Sequence, residues 1–328
     1  MPSWIVTGGA GYIGSHVVRA LLDAGLDAVA LDNLSTGRRE FVHDSAPLVQ
    51  ADLLDPHALV SALRDHDAVG VIHCAGYKYA GESVKHPLHT YQQNVEGTRL
   101  LLAAMAATGT SRLVFSSSAG VYGTPDAPQV TEDTPCAPES PYGESKLIGE
   151  WMIRNQVRAT AGGDAPLHAT SLRYFNVVGS GTPDIYDVSP HNLLPKVFQM
   201  LAEGKTPHIN GDDYDTPDGT CVRDYVDVTD LARSHVAAAR KLDAGEALAP
   251  VYNLGSGDGT SVRQIMDAIA RASGIDFTPD VGPRRPGDPA RIVANGDLAA
   301  DHVDWKPTRT IDEMVASAWA AAPGTPTA

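Results

Sequence analysis

Along the first half of the chain, short apolar runs alternate with longer segments whose apolar residues return at helical spacing. Residues 3–7 form one such run, 8–14 are rich in glycine, and Ile13, Val17, Leu21 and Leu22 then recur near helical spacing. The predicted order is strand, turn, helix. Further strands are predicted at 28–31, 48–51, 69–74, 112–116 and 169–173, with helices at about 56–65, 87–107 and 142–160 between several of them. Such alternation favours a mostly parallel sheet covered by helices on both faces. Right-handed crossovers make a doubly wound α/β sheet its natural topology.

Beyond about residue 176 the alternation gives way to loop-rich stretches, SGTPDIYDVSPHN and NGDDYDTPDGT. Helices are predicted at 193–203, 228–241 and 262–271, one more strand and loop in PVYNLGSGDGT, a Pro-, Gly- and Arg-rich loop at 282–291, and a final helix capped near Thr310. A smaller C-terminal lobe fits this change. A chain of 328 residues, 43% hydrophobic and 20% charged, can bury a large core and reads as globular. Its 25 Lys and Arg against 40 Asp and Glu, net charge -15, weigh against a broad nucleic-acid or anionic-membrane surface. A few arginines can still build a local pocket for an anionic small molecule. Cys74, Cys136 and Cys221 show neither metal-ligand spacing nor a disulfide framework, so a reducing, cytoplasmic setting and no metal are expected. The start MPSWIVTGG resembles no leader, and no apolar run reaches membrane-spanning length.

The glycine-rich turn is TGGAGYIGS, with Gly8, Gly11 and Gly14 between the first strand and first helix. Glycines there permit a sharp turn and close backbone approach to a pyrophosphate, whose charge the helix-start amides can hold. Asp32 follows the second strand, where a carboxylate suits ribose hydroxyls and repels a 2'-phosphate. NAD is therefore expected over NADP, with Asn33 as a second contact and Asp52 as either an adenine contact or a loop cap. The fold class becomes a Rossmann-like doubly wound parallel sheet with a smaller C-terminal substrate-binding lobe. Residues 1–175, with return segments near 225–255, are assigned to the NAD-binding domain. Residues 176–224 and 256–322 are assigned mainly to the second lobe, and 323–328 to a tail.

Tyr142 and Lys146, in SPYGESKLIGE, stand four residues apart and so share one helical face. A phenol and an ammonium in one pocket suit proton transfer, because a nearby cation lowers the cost of phenolate. Upstream, VFSSSAGVYG ends the fifth strand, where a sheet delivers side chains to a ligand crevice. Ser118 is the best candidate to hydrogen-bond the reacting oxygen, ahead of Ser116 and Ser117. The G-x-S-x-G elbow of serine hydrolases is missing from this cluster.

Together with LDNLSTG at 31–37, GYKYAGESV at 76–84, NVEGT at 94–98, LRYFNVVG at 172–179, DGTCVRDYVDVTDLA at 218–232, YNLGSG at 252–257 and RRPGD at 284–288, this ordered set resembles the extended short-chain dehydrogenase/reductase family, in its nucleotide-sugar epimerase branch. The resemblance implies an isomerase that reversibly inverts C4 of UDP-glucose and UDP-galactose through a 4-keto sugar, with transient reduction of tightly bound NAD. UDP-N-acetylhexosamine or UDP-pentose epimerisation is the first alternative. An NAD-dependent nucleotide-sugar dehydratase is the next, although Gly120 and Val121 offer no acidic pair for eliminating water. A sensing or scaffold protein without turnover is opposed by the intact serine, tyrosine and lysine.

The resemblance makes Ser118, Tyr142 and Lys146 catalytic. It places the cofactor against Gly8, Gly11, Tyr12, Ile13, Gly14, Asp32, Asn33, Asp52, Leu53, Lys78, Asn94, Ser116, Tyr142, Lys146 and Tyr174. It places the UDP-sugar against Ser118, Tyr142, Asn176, Asn192, Leu193, Asn210, Arg223, Arg285 and Asp288. Arg223 and Arg285 also suit phosphate oxygens through their forked guanidinium groups. Val177, Gly120 and Asn210 depart from familiar versions of the family, and Ile292 aligns with its sugar-size gate. Apolar positions on the helices beginning near Leu88 and Tyr142 fit the homodimer that the resemblance implies.

Overall fold

The structure is a computed structural model that describes residues 2–285 and 288–324. Pro286 and Gly287 of the RRPGD motif and residues 325–328 of the expected tail lie outside the described residues. The first half runs β1 (Ser3–Thr7), α1 (Tyr12–Asp23), β2 (Ala28–Asp32), β3 (Leu48–Gln50), α2 (Pro56–Asp65), β4 (Ala68–His73), α3 (Ala80–Lys85), α4 (Pro87–Tyr91), α5 (Gly97–Thr108), β5 (Arg112–Ser116), α6 (Pro141–Thr160) and β6 (His168–Tyr174). The rest contributes β7 (Asn176–Val178), α7 (Leu193–Ala202), β8 (His208–Asn210), β9 (Val222–Arg223), β10 (Tyr225–Asp227), α8 (Val228–Asp243), β11 (Val251–Leu254), β12 (Thr260–Ser261), α9 (Val262–Ser273), β13 (Asp280–Gly282), β14 (Arg291–Ile292), α10 (Asp297–His302) and α11 (Ile311–Ala321).

Seven strands form one sheet in the order β3-β2-β1-β4-β5-β6-β11, and every neighbouring pair is parallel. The chain winds outward from β1 in one direction and resumes at β4 in the other. A crevice therefore opens at the carboxyl ends of β1 and β4, where ligands of such sheets bind. Side-chain alternation along each strand feeds two cores. Trp4 and Val6 pack with Val17, Leu21, Val236 and Leu242 of α1 and α8. Ile5 and Val71 pack with Leu59, Leu101, Met105 and Ile153 of α2, α5 and α6.

The predicted helix at 87–107 is instead divided. The α3 helix stops before Pro87, which begins α4, and Gln92–Glu96 is a π-helical turn between α4 and α5. Periodicity alone did not show this break, because its cause is tertiary: Asn94 in the widened turn is drawn into bonds with Tyr77 and Ser145. In the C-terminal part, α7, α9 and α11 build a separate core from Leu194, Phe198, Ile265, Ile269, Val315 and Trp319. Thr310 caps α11 through a reciprocal bond pair with Glu313, as its sequence position suggested. Among the described residues the remaining strands form short pairings: β10 with β7, β13 with β8, and β12 and β14 with β9.

Candidate active site

At the end of β1, Gly8 adopts φ +70, and a Cβ there would stand 2.8 Å from the Ala75 amide nitrogen. A Cβ on Gly14 would fall 2.0 Å from the Gly8 carbonyl oxygen, so the turn closes only with glycine at both positions. Gly11 caps α1 without a side-chain bond, and the first turn of the helix carries no acidic residue. Its leading amides are thus oriented for an anionic ligand. Asp32, buried at the end of β2, accepts hydrogen bonds from the amides of Ala10 (3.1 Å) and Leu34 (2.8 Å), and burial raises its pKa. Asn33 donates to Asp52 at 2.8 Å, which ties the ends of β2 and β3 together. Asp52 also accepts from the Leu54 amide, the loop-capping role that was one of its two expected roles. The side chain of Tyr12 turns inward and donates to the Gly179 carbonyl, while Ile13 and Leu53 pack into the cores. A glycine cradle, a helix start with no competing acid and a carboxylate beyond β2 fit a dinucleotide carrying free ribose hydroxyls.

The start of α6 is set by Pro141 in the first turn and by Ser140, whose hydroxyl accepts from the Gly143 amide at 3.2 Å. This places Tyr142 and Lys146 at the carboxyl edge of β5. The Ser118 hydroxyl accepts from the Gly120 amide at 3.1 Å, and both it and the Tyr142 ring border Gly120. Burial raises the Tyr142 phenol above its ordinary pKa, and the neighbouring Ser118 hydroxyl acts in the opposite direction. Lys146 is only 6% exposed, and burial lowers its ammonium to about 8 against the opposing influence of Cys74 and Glu150. Lys146 Nζ donates to the Ser116 carbonyl at 2.9 Å and sits 6.0 Å from the centroid of the Tyr142 ring, a nearby cation not bonded to the phenol. The β5 carbonyl offers the buried ammonium a closer acceptor. Serine, tyrosine and lysine stand together at the carboxyl edge of β5.

Several supporting contacts join motifs that lie far apart in the sequence. Asn94 accepts from the Tyr77 amide at 2.6 Å and donates to the Tyr77 carbonyl at 3.0 Å and to Ser145 at 2.8 Å, bracing the loop after β4 against α6. Ser83 accepts from the Tyr142 amide at 3.1 Å. Behind the lysine, the Ser116 hydroxyl contacts His235 Nε2 at 2.9 Å and Cys74 Sγ at 3.2 Å, with the ring of Tyr174 beside His235. Burial lifts the Cys74 thiol to about 11 and drops His235 to about 4, which keeps both uncharged near neutrality.

On the C-terminal side, Arg223 donates to the carbonyls of Val222 (2.9 Å) and Pro289 (2.7 Å) and lies 3.5 Å from Asp288. Arg285 approaches the same carboxylate at 3.7 Å, so these three expected residues form one cluster. Ile292 pairs in register with Arg223. Lys78 and Asn192 meet on Asp187, a residue the sequence did not single out. Asn176 opens β7 opposite Tyr225, Leu193 opens α7, and Asn210 ends β8 against Gly282 of β13. A Cβ on Gly120 would touch the Ser118 hydroxyl at 3.4 Å and the Tyr142 ring at 3.7 Å, so position 120 borders the reacting groups. An open groove of about 1010 Å³ along α1 and α8 contains none of the serine, tyrosine and lysine, so volume is a poor guide to this site.

Residues 4–255 match the model of the NAD dependent epimerase/dehydratase family. A UDP-glucose 4-epimerase of Azospirillum brasilense is 42% identical over 323 residues, covering 97% of this chain and 91% of that protein. Among solved structures, UDP-glucose 4-epimerase from Brucella ovis in complex with NAD superposes with a TM-score of 0.91 at 37% identity, covering 97% of both chains. The UDP-glucose-4-epimerase of Stenotrophomonas maltophila, with bound NAD and formylated UDP-arabinopyranose, gives 0.91 at 34% identity and 98% of both chains.

Proposed function

The chain belongs to the NAD dependent epimerase/dehydratase family, and on that premise we propose that it interconverts UDP-glucose and UDP-galactose by reversible inversion at C4. The observation that carries this reading is the meeting of Ser118, Tyr142 and Lys146 at the carboxyl edge of a sheet whose first turn is a dinucleotide cradle. The glycine turn and Asp32 would hold NAD, which would supply reversible hydride acceptance for the C4 centre. Tyr142 removes the proton of the sugar 4-hydroxyl and gives it back, and Ser118 hydrogen-bonds the reacting oxygen. Lys146 keeps a positive charge in a pocket dry enough for that charge to favour the phenolate. The amides at the start of α1 hold the pyrophosphate, and Asp32 addresses the adenosine ribose. Arg223 and Arg285 bind the diphosphate of the substrate, with Asp288 between them for the uridine ribose.

A homodimer belongs to the same reading. Val84, Leu88 and Trp151 are 61%, 81% and 46% exposed on α3, α4 and α6, which pack together, so an apolar patch faces outward. Sedimentation should give a dimer, and Leu88→Asp should shift it toward monomer. No helix among the described residues is long and apolar enough to cross a membrane. The free thiols of Cys74, Cys136 and Cys221 suit a cytoplasmic enzyme.

The test is to incubate the purified protein with UDP-galactose and no added NAD. UDP-glucose should form without net NADH, and denaturation should release NAD. A folded, NAD-loaded protein that converts none would overturn the proposal.

A further inference from the structure

The stripe that carries Tyr142 and Lys146 continues one turn further along α6 to Glu150. This carboxylate is almost enclosed: the side chains of Glu150 and its partner Arg173 are 10% and 6% exposed. Arg173 Nε donates to one carboxylate oxygen at 2.9 Å, and Nη2 donates to the other at 2.7 Å, a forked pair reaching from β6 to α6. The first of those oxygens also accepts the Ser117 hydroxyl at 2.5 Å. Arg173 Nη1 donates onward to the Tyr122 hydroxyl at 2.9 Å, which donates to Asn253 of β11 at 2.7 Å.

Ser117 stands between two residues that hold the reacting groups. The carbonyl of Ser116 receives Lys146, and the hydroxyl of Ser118 lies with the Tyr142 ring beside Gly120. Its own hydroxyl points at neither, so a clamp on Ser117 fixes the backbone that places both. A buried ion pair is weak evidence for stability, since the cost of desolvating its charges offsets their attraction. This pair has the further feature of a serine hydroxyl shared with the β5 terminus.

We propose that Glu150 is a positioning residue, which, through Ser117, locks the 116–118 strand end in register with the tyrosine and lysine of α6. Arg173 keeps the Glu150 carboxylate aimed through its forked contact. The proposal rests on the epimerase reading and adds to it a residue that touches neither substrate nor cofactor. Displacements far smaller than an atom's diameter at such a site change the fraction of bound substrate in reactive geometry without changing how much is bound.

Ser117→Ala removes the hydroxyl and leaves the Glu150–Arg173 pair in place. With UDP-galactose, and with kcat normalised to bound NAD, kcat should fall tenfold or more while KM stays within about twofold. The thermal midpoint should move by only a few degrees. Glu150→Ala and the double variant complete a cycle: if Glu150 acts through Ser117, the double variant is no slower than Glu150→Ala alone. Should Glu150→Ala fail to fold, Ser117→Ala decides alone. Unchanged kcat per bound NAD in Ser117→Ala, or a rise in KM with kcat retained, overturns the proposal. An inactive but NAD-loaded wild-type protein overturns the epimerase reading, and this proposal falls with it; an active wild type beside an equally active Ser117→Ala overturns this proposal alone.

Discussion

The carboxyl edge of the large sheet and the cluster around Arg223 handle charge in opposite ways. At the sheet edge the polar groups are buried and engaged with one another: Lys146 on a carbonyl, Asn94 on Tyr77 and Ser145, Glu150 on Arg173 and Ser117. Around Arg223 the ion contacts are longer, with Asp288 at 3.5 Å from Arg223 and 3.7 Å from an Arg285 that is 61% exposed. Enclosed groups act in a low dielectric, where each charge is strong and its geometry fixed. An enclosed Arg223, 14% exposed, beside an open Arg285 suits anchoring a diphosphate that must enter and leave. Chemistry should therefore be brittle at the first region and graded at the second.

The largest effect should come from Tyr142→Phe, which deletes the one group able to carry the 4-hydroxyl proton. Loss of general acid–base catalysis typically costs about 10²- to 10⁴-fold, and kcat should fall within that range. The Tyr142 ring and its packing remain, so NAD content and thermal midpoint should stay near wild type. Turnover that survives this change would remove the contrast between the two regions as well as the proposed role.

The two regions also differed in how far they could be read in advance. The sheet edge is built from local signals: a glycine turn directly after a strand, a tyrosine and lysine one helical turn apart, a serine run at a strand end. Each is contiguous in sequence and set by the geometry of a single element. What escaped depends on distant segments meeting. Asn94 lies in a π-helical turn that periodicity read as continuous helix, because its bonds to Tyr77 and Ser145 cross the fold. Glu150 has no local signal, since its partner Arg173 comes from β6. Asp187, where Lys78 and Asn192 meet, sits in a loop with no motif. The C-terminal lobe was legible only as helices with loops, since strands as short as β9, β12 and β14 carry too few residues to show alternation.

A smaller effect is expected in the second region from Arg223→Lys. Lysine keeps the charge but loses the planar fork that bonds the carbonyls of Val222 and Pro289 and presents the group to phosphate. KM for UDP-galactose should rise about tenfold, equivalent to about 1.4 kcal/mol, with kcat nearly unchanged. Steady-state kinetics checks this split. A fall in kcat comparable to that of Tyr142→Phe would mean that the arginine cluster is coupled to the reacting groups and that the two regions are one.

The last and smallest prediction concerns the sheet itself. His73 of β4 is buried between Thr7 at 2.7 Å and Thr98 at 3.1 Å, and burial lowers it from 6.5 to about 3. The unfolded chain takes up a proton at this residue near pH 6.5, whereas the folded chain does not until about pH 3. Between those values the unfolded state binds more protons, so the stability from a neutral His73 is fully present above pH 6.5 and declines as pH falls. The slope is at most about 1.4 kcal/mol per pH unit for this one group. His73→Gln, which keeps an amide between the two threonines and cannot titrate, should flatten the fall in unfolding free energy measured by denaturant between pH 6.5 and 4.5. His235, lowered to about 4 in the same way, should leave a residual slope in that variant. An unchanged slope would place the acid sensitivity outside β4 and show that the closed polar packing of the sheet edge does not depend on this neutral imidazole.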